Sequence, residues 1–332
     1  MQKILVVGYG SIGKRHVKNL LKFPNISVII CTKQKFKSNK RKKFFRSIEE
    51  CLNEKPTIAF ITNESSYHVK TAIKLAKSNL HLFIEKPLSN STSGTLKLKK
   101  LIDKKKLITQ LGCNLRFYPA FKKIKELVDN EIIGKPISVQ VETGSYLPDW
   151  HPYEDYRNGY AAKKELGGGI LLTAIHEIDY LYWIFGKISD VLSITGKFSN
   201  LKINTDDLSV SLIKFKNNVI GEIHLDYFQR PFYKSCKIRC VSGIVYWNSD
   251  SNSIKIYNSN LKKWFTKKIN KNYKLTSKQA NLMYMDEIKY FLNCVKNNKK
   301  TFNNFDHGLD VLKIALAIRT ASSSKKTISV KY

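Results

Sequence analysis

An acidic and a basic side chain directly follow an apolar run in the segment HLFIEKPLSN, residues 81–90. The apolar run has the composition of a buried strand, and Pro87, which lacks an N–H group, cannot extend a sheet ladder. The pattern therefore places Glu85 and Lys86 at the carboxyl end of a strand. They could simply mark the point where the strand reaches water, or they could be catalytic groups at the edge of an active site.

A histidine lies in a second unusual stretch, KKELGGGILLTAIHEIDYLYWIFGK. Three glycines precede an almost entirely apolar run, and the pattern predicts one helix over residues 167–185. On that helix Thr173, His176 and Asp179 are spaced three apart and would share a face. On spacing alone a buried core histidine is the commoner case. The adjacent glycines favour a functional group, because they would let a ligand approach the backbone at the helix start.

The segment VVGYGSIGKRH carries the spacing Gly-x-Gly-x-x-Gly, directly after an apolar run and at the start of a helical pattern. In this context Gly8 permits a tight turn, Gly10 lets a pyrophosphate approach, and Gly13 allows close packing of helix on strand. N–H groups at the helix start would then bind the phosphates of a dinucleotide. The alternative is an ordinary glycine turn.

The end of the second predicted strand indicates which dinucleotide is bound. An acidic residue about twenty positions after the glycines would bind a ribose 2′-hydroxyl. Here the strand ends in Cys31, Thr32 and Lys33. A hydroxyl and an amine suit a 2′-phosphate, so NADP(H) is expected to be preferred, with NAD(H) as the alternative.

The elements that would position these groups belong to two domains. Continuous apolar strands alternate with amphipathic helices in the first part of the chain, and the basic stretch from Lys33 to Lys43 is expected to be a solvated loop. Later strands alternate apolar and polar residues, which predicts an antiparallel sheet with one covered face. The fold class is therefore α/β: a doubly wound parallel sheet in residues 1–118, then an α+β domain with a mostly antiparallel open sheet in residues 119–332. Helices are predicted over 279–297 and about 305–322, and the second of these could pack back on the first domain.

Composition restricts the function classes. The formal net charge is +32, but the basic residues are mostly lysine and are scattered along the chain, so nucleic-acid binding is not expected. The six cysteines include no Cys-x-x-Cys pair, so a metal site is not expected and free thiols in a reducing cytoplasm are. The apolar run at the N-terminus is too short for a signal peptide, and no run is long enough to span a membrane.

The segments VVGYGSIGKRH, ITNESSYH, FIEKPL, GCNLRFYPAF and GGGILLTAIHEID, in this order and spacing, resemble the Gfo/Idh/MocA family of glucose–fructose oxidoreductase and inositol dehydrogenase. The resemblance implies an N-terminal Rossmann domain and a C-terminal domain whose open sheet often forms the interface of a homo-oligomer. It implies hydride transfer between C4 of a nicotinamide and a carbinol or keto carbon of a small-molecule sugar, catalysed by Lys86 and His176. It also implies a set of cofactor-binding residues: Gly8, Tyr9, Gly10, Ser11, Ile12, Gly13, Thr32, Lys33, Thr62, Asn63, His68, Glu85, Lys86 and Asn114.

Thr173 departs from the family pattern, since many members carry an aspartate one turn before the histidine. A threonine hydroxyl can bind a substrate hydroxyl but holds no charge to orient the imidazole, and Asp179 could compensate. A non-catalytic dinucleotide-binding regulator on the same fold is therefore kept as an alternative function.

The segment YLPDWHPYEDYRNGYAAKKELGGG is rich in aromatic and basic residues. It could pack on the sheet, or it could bind substrate through aromatic faces and through cations that pair with a phosphate or carboxylate. It resembles members associated with bacterial surface-glycan pathways, which favours a nucleotide-activated or acidic sugar. The expected substrate-binding residues are Lys86, Arg116, Trp150, Tyr156, Arg157, Tyr160, Lys163, Thr173 and His176.

Overall fold

The structure is a computed structural model that describes residues 1–273, 275 and 281–332. It divides into two compact units. Unit 1 contains Met1–Cys113 and Tyr284–Leu312, and unit 2 contains Asn114–Met283 and Lys313–Tyr332.

The strands and helices are as follows. The strands are β1 (Gln2–Val7), β2 (Ile26–Cys31), β3 (Lys42–Phe45), β4 (Ile58–Ile61), β5 (His81–Glu85), β6 (Thr109–Gly112), β7 (Pro136–Gly144), β8 (Ile188–Gly196), β9 (Leu208–Phe215), β10 (Ile220–Asp226), β11 (Tyr233–Cys240), β12 (Gly243–Asn248), β13 (Ser253–Asn258), β14 (Lys263–Lys268) and β15 (Ile328–Ser329). The helices are α1 (Ser11–Leu20), α2 (Ile48–Asn53), α3 (His68–Lys77), α4 (Thr95–Lys104), α5 (Pro119–Asp129), α6 (Ile170–Thr173), α7 (His176–Phe185), α8 (Asn281–Lys296) and α9 (Phe305–Ser324).

Unit 1 contains a parallel sheet whose described strands run in the order β3-β2-β1-β4-β5-β6. The central strands β1, β4 and β5 consist largely of buried apolar residues, as expected for a sheet that is covered on both faces. The strand order reverses between β1 and β4, and ligands of doubly wound folds bind at the carboxyl edge near such a reversal. The predicted doubly wound parallel sheet is therefore confirmed.

Residues 284–304 were predicted to belong to the second domain, whereas the structure places them in unit 1. Residues 305–312, the first part of the helix predicted to pack back on the first domain, also lie in unit 1. Ile288 and Phe291 of α8 are fully buried in the hydrophobic core of unit 1, and the Phe291 ring contacts those of Phe60 and Phe83. The sequence shows that α8 has an apolar face but does not say which sheet that face covers. The first two residues of the predicted helix, 279 and 280, lie outside the described residues.

Unit 2 contains a sheet whose described strands run in the order β14-β13-β12-β11-β7-β10-β9-β8-β15. β7 and β10 pair in parallel, while the other described pairs are antiparallel. The buried face packs on helices: the Phe121 ring of α5 stacks on Tyr180 of α7 at 4.0 Å and meets Trp247 of β12 at 5.1 Å. The predicted mostly antiparallel sheet is confirmed.

Several predicted elements differ from the observed ones. The basic stretch predicted as a loop ends in strand β3, which pairs with β2. The segment LITQLGCNLRF is not one extended strand, because β6 ends at Gly112 and a 3-10 helix follows over Asn114–Phe117. The helix predicted over 167–185 is interrupted at Ala174 and Ile175, between α6 and α7. These are short-range changes of backbone direction that apolar periodicity cannot distinguish from a continuous element.

Candidate active site

The glycine turn after β1 has the backbone that the motif predicts. Gly8 has a φ of +96°, a conformation that favours glycine. A Cβ at Gly13 would lie 2.3 Å from the Gly8 carbonyl oxygen and 2.9 Å from Oγ1 of Thr62. Gly8 and Gly13 are therefore required by packing inside unit 1, independently of any ligand.

Gly10, in contrast, faces open space. A Cβ built there would meet no atom of the described residues within 4 Å, apart from the chain neighbours and local helix backbone. Gly10 precedes α1, and within the described chain no side chain caps this helix start and no acidic residue lies in its first turn. N–H groups at the helix start, including those of Ser11 and Ile12, can therefore receive a phosphate. The residues present fit the pyrophosphate of a dinucleotide.

Thr62 and His68 hold this edge of the sheet together. Oγ1 of Thr62 donates to the carbonyl oxygens of Val7 at 3.0 Å and Gly8 at 2.9 Å. His68 is 1% exposed, with Nδ1 2.8 Å from the Pro87 carbonyl oxygen and Nε2 2.9 Å from that of Asn63. Burial lowers the pKa of His68. The sequence predicts direct cofactor contact for both residues, whereas the structure commits both side chains to backbone carbonyls.

Asn63 retains a group that could meet a ligand. Its Nδ2 donates to Oγ1 of Thr71 at 3.1 Å, while its Oδ1 is buried with no hydrogen-bond partner among the described residues. An unused buried acceptor beside the glycine turn is consistent with the predicted role of Asn63 in cofactor binding.

Glu85 turns into unit 1. Its side chain is 7% exposed, Oε1 lies 2.6 Å from Nε2 of His16, and Oε2 accepts from the Lys86 backbone N–H at 3.2 Å. A Cβ at Gly112 would lie 2.9 Å from the carboxylate. The carboxylate of Glu85 thus holds the backbone at Lys86 in place, and the predicted contact of Glu85 with the cofactor stays a prediction. His16 was not predicted as a site residue, although it lies three residues after Gly13 in the same motif.

Lys86 directly follows β5 and is half-buried. In the sheet β5 neighbours β4, and β4 neighbours β1, whose carboxyl end carries the glycine turn. Lys86 and the turn therefore share the carboxyl edge of the sheet, and two strand spacings separate them by about 10 Å. This placement agrees with a lysine that serves a nucleotide bound along that edge.

The predicted specificity residues follow β2. Thr32 donates its backbone N–H to the Phe45 carbonyl oxygen at 3.0 Å, and its Oγ1 accepts from the Gln34 backbone at 3.3 Å. Lys33 is exposed. Tyr9, also predicted to bind cofactor, packs its ring edge-on against Phe36 at 5.0 Å and Phe44 at 5.5 Å. This aromatic cluster was not predicted, because Phe36 lies in the stretch interpreted as a solvated loop.

In unit 2 the space beside the glycine run of residues 167–169 is occupied by other residues of the protein. A Cβ at Gly168 would lie 2.3 Å from the Tyr160 carbonyl oxygen, and one at Gly169 would lie 2.5 Å from side-chain oxygens of Thr205 and Asp206. The backbone N–H of Ile170 donates to the Asp206 carbonyl at 2.9 Å. The predicted approach of a ligand to this helix start is therefore replaced by internal packing.

Thr173 is buried at the end of α6, and its Oγ1 accepts from the hydroxyl of Tyr227 at 2.7 Å. Burial raises the pKa of Tyr227 well above its usual value, so the phenol remains a donor. His176 is half-buried at the first position of α7, beyond the interruption. Thr173 and His176 therefore belong to different helices and do not share the face that one continuous helix would give them.

Arg116 and Asp179 form a buried ion pair. Nε of Arg116 donates to Oδ2 of Asp179 at 2.8 Å and Nη2 donates to Oδ1 at 2.7 Å, and the side chains are 0% and 3% exposed. The structure thus corrects two expectations: Arg116 does not present its guanidinium to a substrate, and Asp179 is not available to compensate for Thr173. Asn114, predicted to bind cofactor, is buried at the start of the same 3-10 helix.

A second buried ion pair was not predicted from the sequence. Glu177 of α7 is 0% exposed, accepts from Oγ1 of Thr143 at 2.8 Å and forms an ion pair with Lys234 of β11. Its Oε2 has no hydrogen-bond partner among the described residues. The residue next to the predicted catalytic histidine is therefore anchored to two strands of the sheet.

The aromatic loop is held mainly by its own contacts. Nε1 of Trp150 donates to Oγ of Ser145 at 2.9 Å, and the Tyr156 hydroxyl accepts from the Lys202 backbone at 3.2 Å. Arg157 is paired with Asp155, its Nη2 lying 2.7 Å from Oδ2. Two further predicted substrate residues on the same loop, Tyr160 and Lys163, precede the glycine run.

Two further findings concern ligands and membranes. Among the described residues no group of three or more His, Cys, Asp or Glu side chains is arranged to hold a metal ion. In the same part of the chain, none of the helices is sufficiently long and apolar to cross a membrane.

Comparison with protein families gives two matches. A model described as an oxidoreductase family with an NAD-binding Rossmann fold matches residues 2–113, and a GFO/IDH/MocA C-terminal domain model matches residues 121–246. The two matched regions are separated by residues 114–120 and together cover most of the chain.

Curated proteins and solved structures agree with these matches. The uncharacterized oxidoreductase YrbE of Bacillus subtilis is 28% identical over 66% of this chain and 65% of its own length. A myo-inositol 2-dehydrogenase of Thermotoga maritima is 27% identical over 70% of each chain. The chain thus matches about two thirds of the length of these relatives.

Solved structures extend the likeness over the whole chain. Levoglucosan dehydrogenase in complex with NADH and L-sorbose has a TM-score of 0.87 at 15% identity, covering 100% of this chain and 99% of that one. Myo-inositol 2-dehydrogenase from Lactobacillus plantarum has a TM-score of 0.83 at 20% identity, covering 99% of each. At these identities the likeness shows a shared fold.

The glycine geometry predicts different effects for two alanine substitutions. Gly10→Ala meets open space and should change the free energy of unfolding by less than about 1 kcal/mol, yet its methyl group would obstruct an approaching phosphate and weaken dinucleotide binding. Gly13→Ala must displace the backbone at Gly8, so both stability and binding should fall. Urea unfolding and titration with reduced cofactor measure the two quantities. Equal dinucleotide affinity of Gly10→Ala and the unaltered protein would contradict a phosphate site at Gly10.

Proposed function

Since the chain belongs to the GFO/IDH/MocA oxidoreductase family, with its NAD-binding Rossmann fold, we propose that it is an NAD(P)-dependent dehydrogenase or ketoreductase that acts on a sugar. The observation that carries this proposal is the carboxyl edge of the unit 1 sheet. There the open backbone at Gly10 and the uncapped start of α1 lie on the same edge as Lys86.

The proposed chemistry assigns separate tasks to two side chains. The nicotinamide, when bound, exchanges a hydride with a carbinol or keto carbon of the sugar. His176 takes the hydroxyl proton during oxidation and returns it during reduction, a task suited to an imidazole whose ordinary pKa is about 6.5. Lys86 supplies a positive charge that stabilises the negative charge developing on the reacting sugar oxygen.

Substitution of the two proposed catalytic residues tests these roles. Lys86→Met and His176→Ala should each lower kcat/KM by about a hundredfold or more, the usual contribution of a positioned acid, base or oxyanion-stabilising group. Lys97→Met, on the exposed face of α4, serves as the matched control. Activity is followed through the absorbance of the reduced cofactor with a panel of sugars and nucleotide sugars. If both variants stay within about tenfold of the unaltered protein, a dinucleotide-binding regulator becomes the better interpretation.

We further propose a preference for NADP(H) over NAD(H). The support is chemical: the position after β2 carries Thr32 and the exposed Lys33, and no carboxylate that would repel a 2′-phosphate. A structural neighbour, levoglucosan dehydrogenase, is described in complex with NADH, so both cofactors have to be compared.

Steady-state kinetics with both cofactors test the preference. The unaltered protein should have a higher kcat/KM with NADPH than with NADH, and Lys33→Asp should reverse the order, because it replaces an attractive charge with a repulsive one. Lys35→Asp, two residues further along the same stretch, makes the same change of charge as a control. A clear preference of the unaltered protein for NADH would refute this assignment.

We propose that the sugar carries an anionic group, as a nucleotide-activated or acidic sugar does. The support is the basic and aromatic character of the loop around Arg157 and Lys163. The related inositol and levoglucosan dehydrogenases are named for uncharged substrates, so the anionic group would be a feature of this chain. We place the enzyme in the cytoplasm, where its six free thiols would stay reduced.

We also propose that the protein is a homo-oligomer assembled through the open face of the unit 2 sheet. Large apolar side chains between 42% and 64% exposed stand together on three adjacent strands of this face: Leu192, Ile194, Val210, Leu212 and Ile220. A contiguous apolar patch of this kind usually marks an interface, and a second copy of the same face can cover it with two-fold symmetry.

The oligomeric state can be measured by sedimentation equilibrium. The unaltered protein should have at least twice the mass of one chain, and Leu212→Asp should lower that mass, because it buries an unpaired charge in the interface. Leu96→Asp on α4 is an exposed control outside the sheet. A monomeric mass for the unaltered protein would contradict the proposal.

A further inference from the structure

Unit 2 contains a basic cleft, and only one of its two walls was predicted from the sequence to bind substrate. It has a volume of about 490 Å³ and lies between two segments, residues 157–165 and residues 197–204. Its ionic lining consists of four cations and one carboxylate: Arg157, Lys163, Lys197, Lys202 and Glu165. The aromatic loop supplies the first wall, and the turn between β8 and β9 supplies the second.

Hydrogen bonds hold the two walls together. The side chain of Asn204 accepts from the backbone N–H of Lys164 at 2.7 Å and donates to Oε2 of Glu165 at 3.1 Å. The Asn204 backbone donates to the Ala162 carbonyl at 3.2 Å, and the Lys202 backbone donates to the Tyr156 hydroxyl at 3.2 Å. The cleft is therefore braced across its width, so the lysines project from fixed backbone on both sides.

The charges of the lining do not cancel. Arg157 is paired with Asp155, and Glu165 is occupied by Asn204. The lining therefore contains three lysine side chains and one carboxylate, and the ammonium of Lys197 donates to the carbonyl oxygen of Ser199 at 3.1 Å. A cleft of several hundred cubic ångströms can hold a small-molecule ligand, and ammonium groups are effective binders of phosphate.

We propose that this cleft binds the diphosphate of a glycosyl diphosphate substrate, an inference that rests on the proposed function and specifies its substrate class. A ligand with a single carboxylate would need one cationic partner, whereas a diphosphate ester carries more negative charge and can pair with several cations. Arg157 and Lys163 contact it from one wall and Lys197 and Lys202 from the other.

The chain connects this cleft to the proposed catalytic histidine. The backbone N–H of Gly168 donates to the Lys163 carbonyl at 2.9 Å, and that of Gly169 donates to the Ala161 carbonyl at 3.0 Å. Six residues lie between Gly169 and His176 and form α6 and the two-residue interruption, so the histidine lies beyond the glycine run and outside the lining of the cleft. A sugar at His176 would need an extension beyond its own ring to reach the cleft, and a diphosphate linkage provides one.

Binding measurements test the site without turnover. The protein is saturated with NADPH, which fills the dinucleotide site, and is then titrated calorimetrically with UDP, inorganic pyrophosphate or glucuronate. UDP and pyrophosphate should both bind, more weakly as salt rises. The double variant Lys197→Gln/Lys202→Gln should raise both dissociation constants by about tenfold, since it removes two charged contacts.

A matched control separates this site from the general attraction of a chain whose formal charge is +32. Lys97→Gln/Lys100→Gln on α4 makes the same change of charge and should leave both dissociation constants within about twofold, as expected for screened distant charges. Unchanged NADPH affinity and melting temperature show that the cleft variant is folded.

Three results would overturn the proposal: failure of pyrophosphate to bind, an equal loss in both double variants, or glucuronate binding as tight as that of UDP. The Lys86→Met variant distinguishes a failure of the dehydrogenase proposal from a failure of the diphosphate proposal, because it should bind UDP normally even if it has lost all activity. Conversely, an active enzyme that does not bind UDP would keep the dehydrogenase proposal and lose this one.

Discussion

The buried carboxylate of Glu85 is the contact on which the nucleotide-binding edge of unit 1 depends. One oxygen pairs with His16 on α1, the helix whose start follows the glycine turn, and the other accepts from the backbone of Lys86. The carboxylate also packs against Gly112 at the end of β6. One side chain therefore fixes three carboxyl-edge elements relative to each other. Because it is buried, its interactions with His16 and the backbone are weakly screened, and the loss of either partner would leave a costly uncompensated group.

Unit 2 uses buried polar contacts for a similar purpose. Two buried ion pairs connect α7 to its neighbours. Asp179 of α7 pairs with Arg116 of the 3-10 helix, and Glu177 of α7 pairs with Lys234 of strand β11. Tyr227 anchors the end of α6 through Thr173. The short helices on either side of the interruption are thus held by specific polar contacts. This arrangement keeps His176, at the start of α7, in a defined position although the helix before it is only one turn long.

Much of the fold could be predicted from the sequence, because local patterns carry it. Continuous apolar strands, the glycine spacing of residues 8–13 and the alternation in the later strands each specify a backbone environment. The spacing Ser-x-x-Glu at residues 47–50 is typical of a capping box, and Ser47 and Glu50 form one at the start of α2. What could not be predicted depends on partners distant in sequence. In the sequence Arg116 resembles a substrate-binding residue, and only the fold shows that it pairs with Asp179. Likewise, only the fold brings Lys202 into the same cleft as Lys163.

The glycines have a consequence for how such a chain can diverge in evolution. Gly8 and Gly13 are confined by the backbone around them, and Gly168 is confined by the carbonyl of Tyr160. No side chain fits at these positions without moving main chain, whereas most surface positions accept many residue types. Lineages that share this architecture can therefore exchange most of their residues while a few points stay invariant. Such divergence agrees with the comparison to levoglucosan dehydrogenase, whose fold matches this chain with a TM-score of 0.87 at only 15% sequence identity.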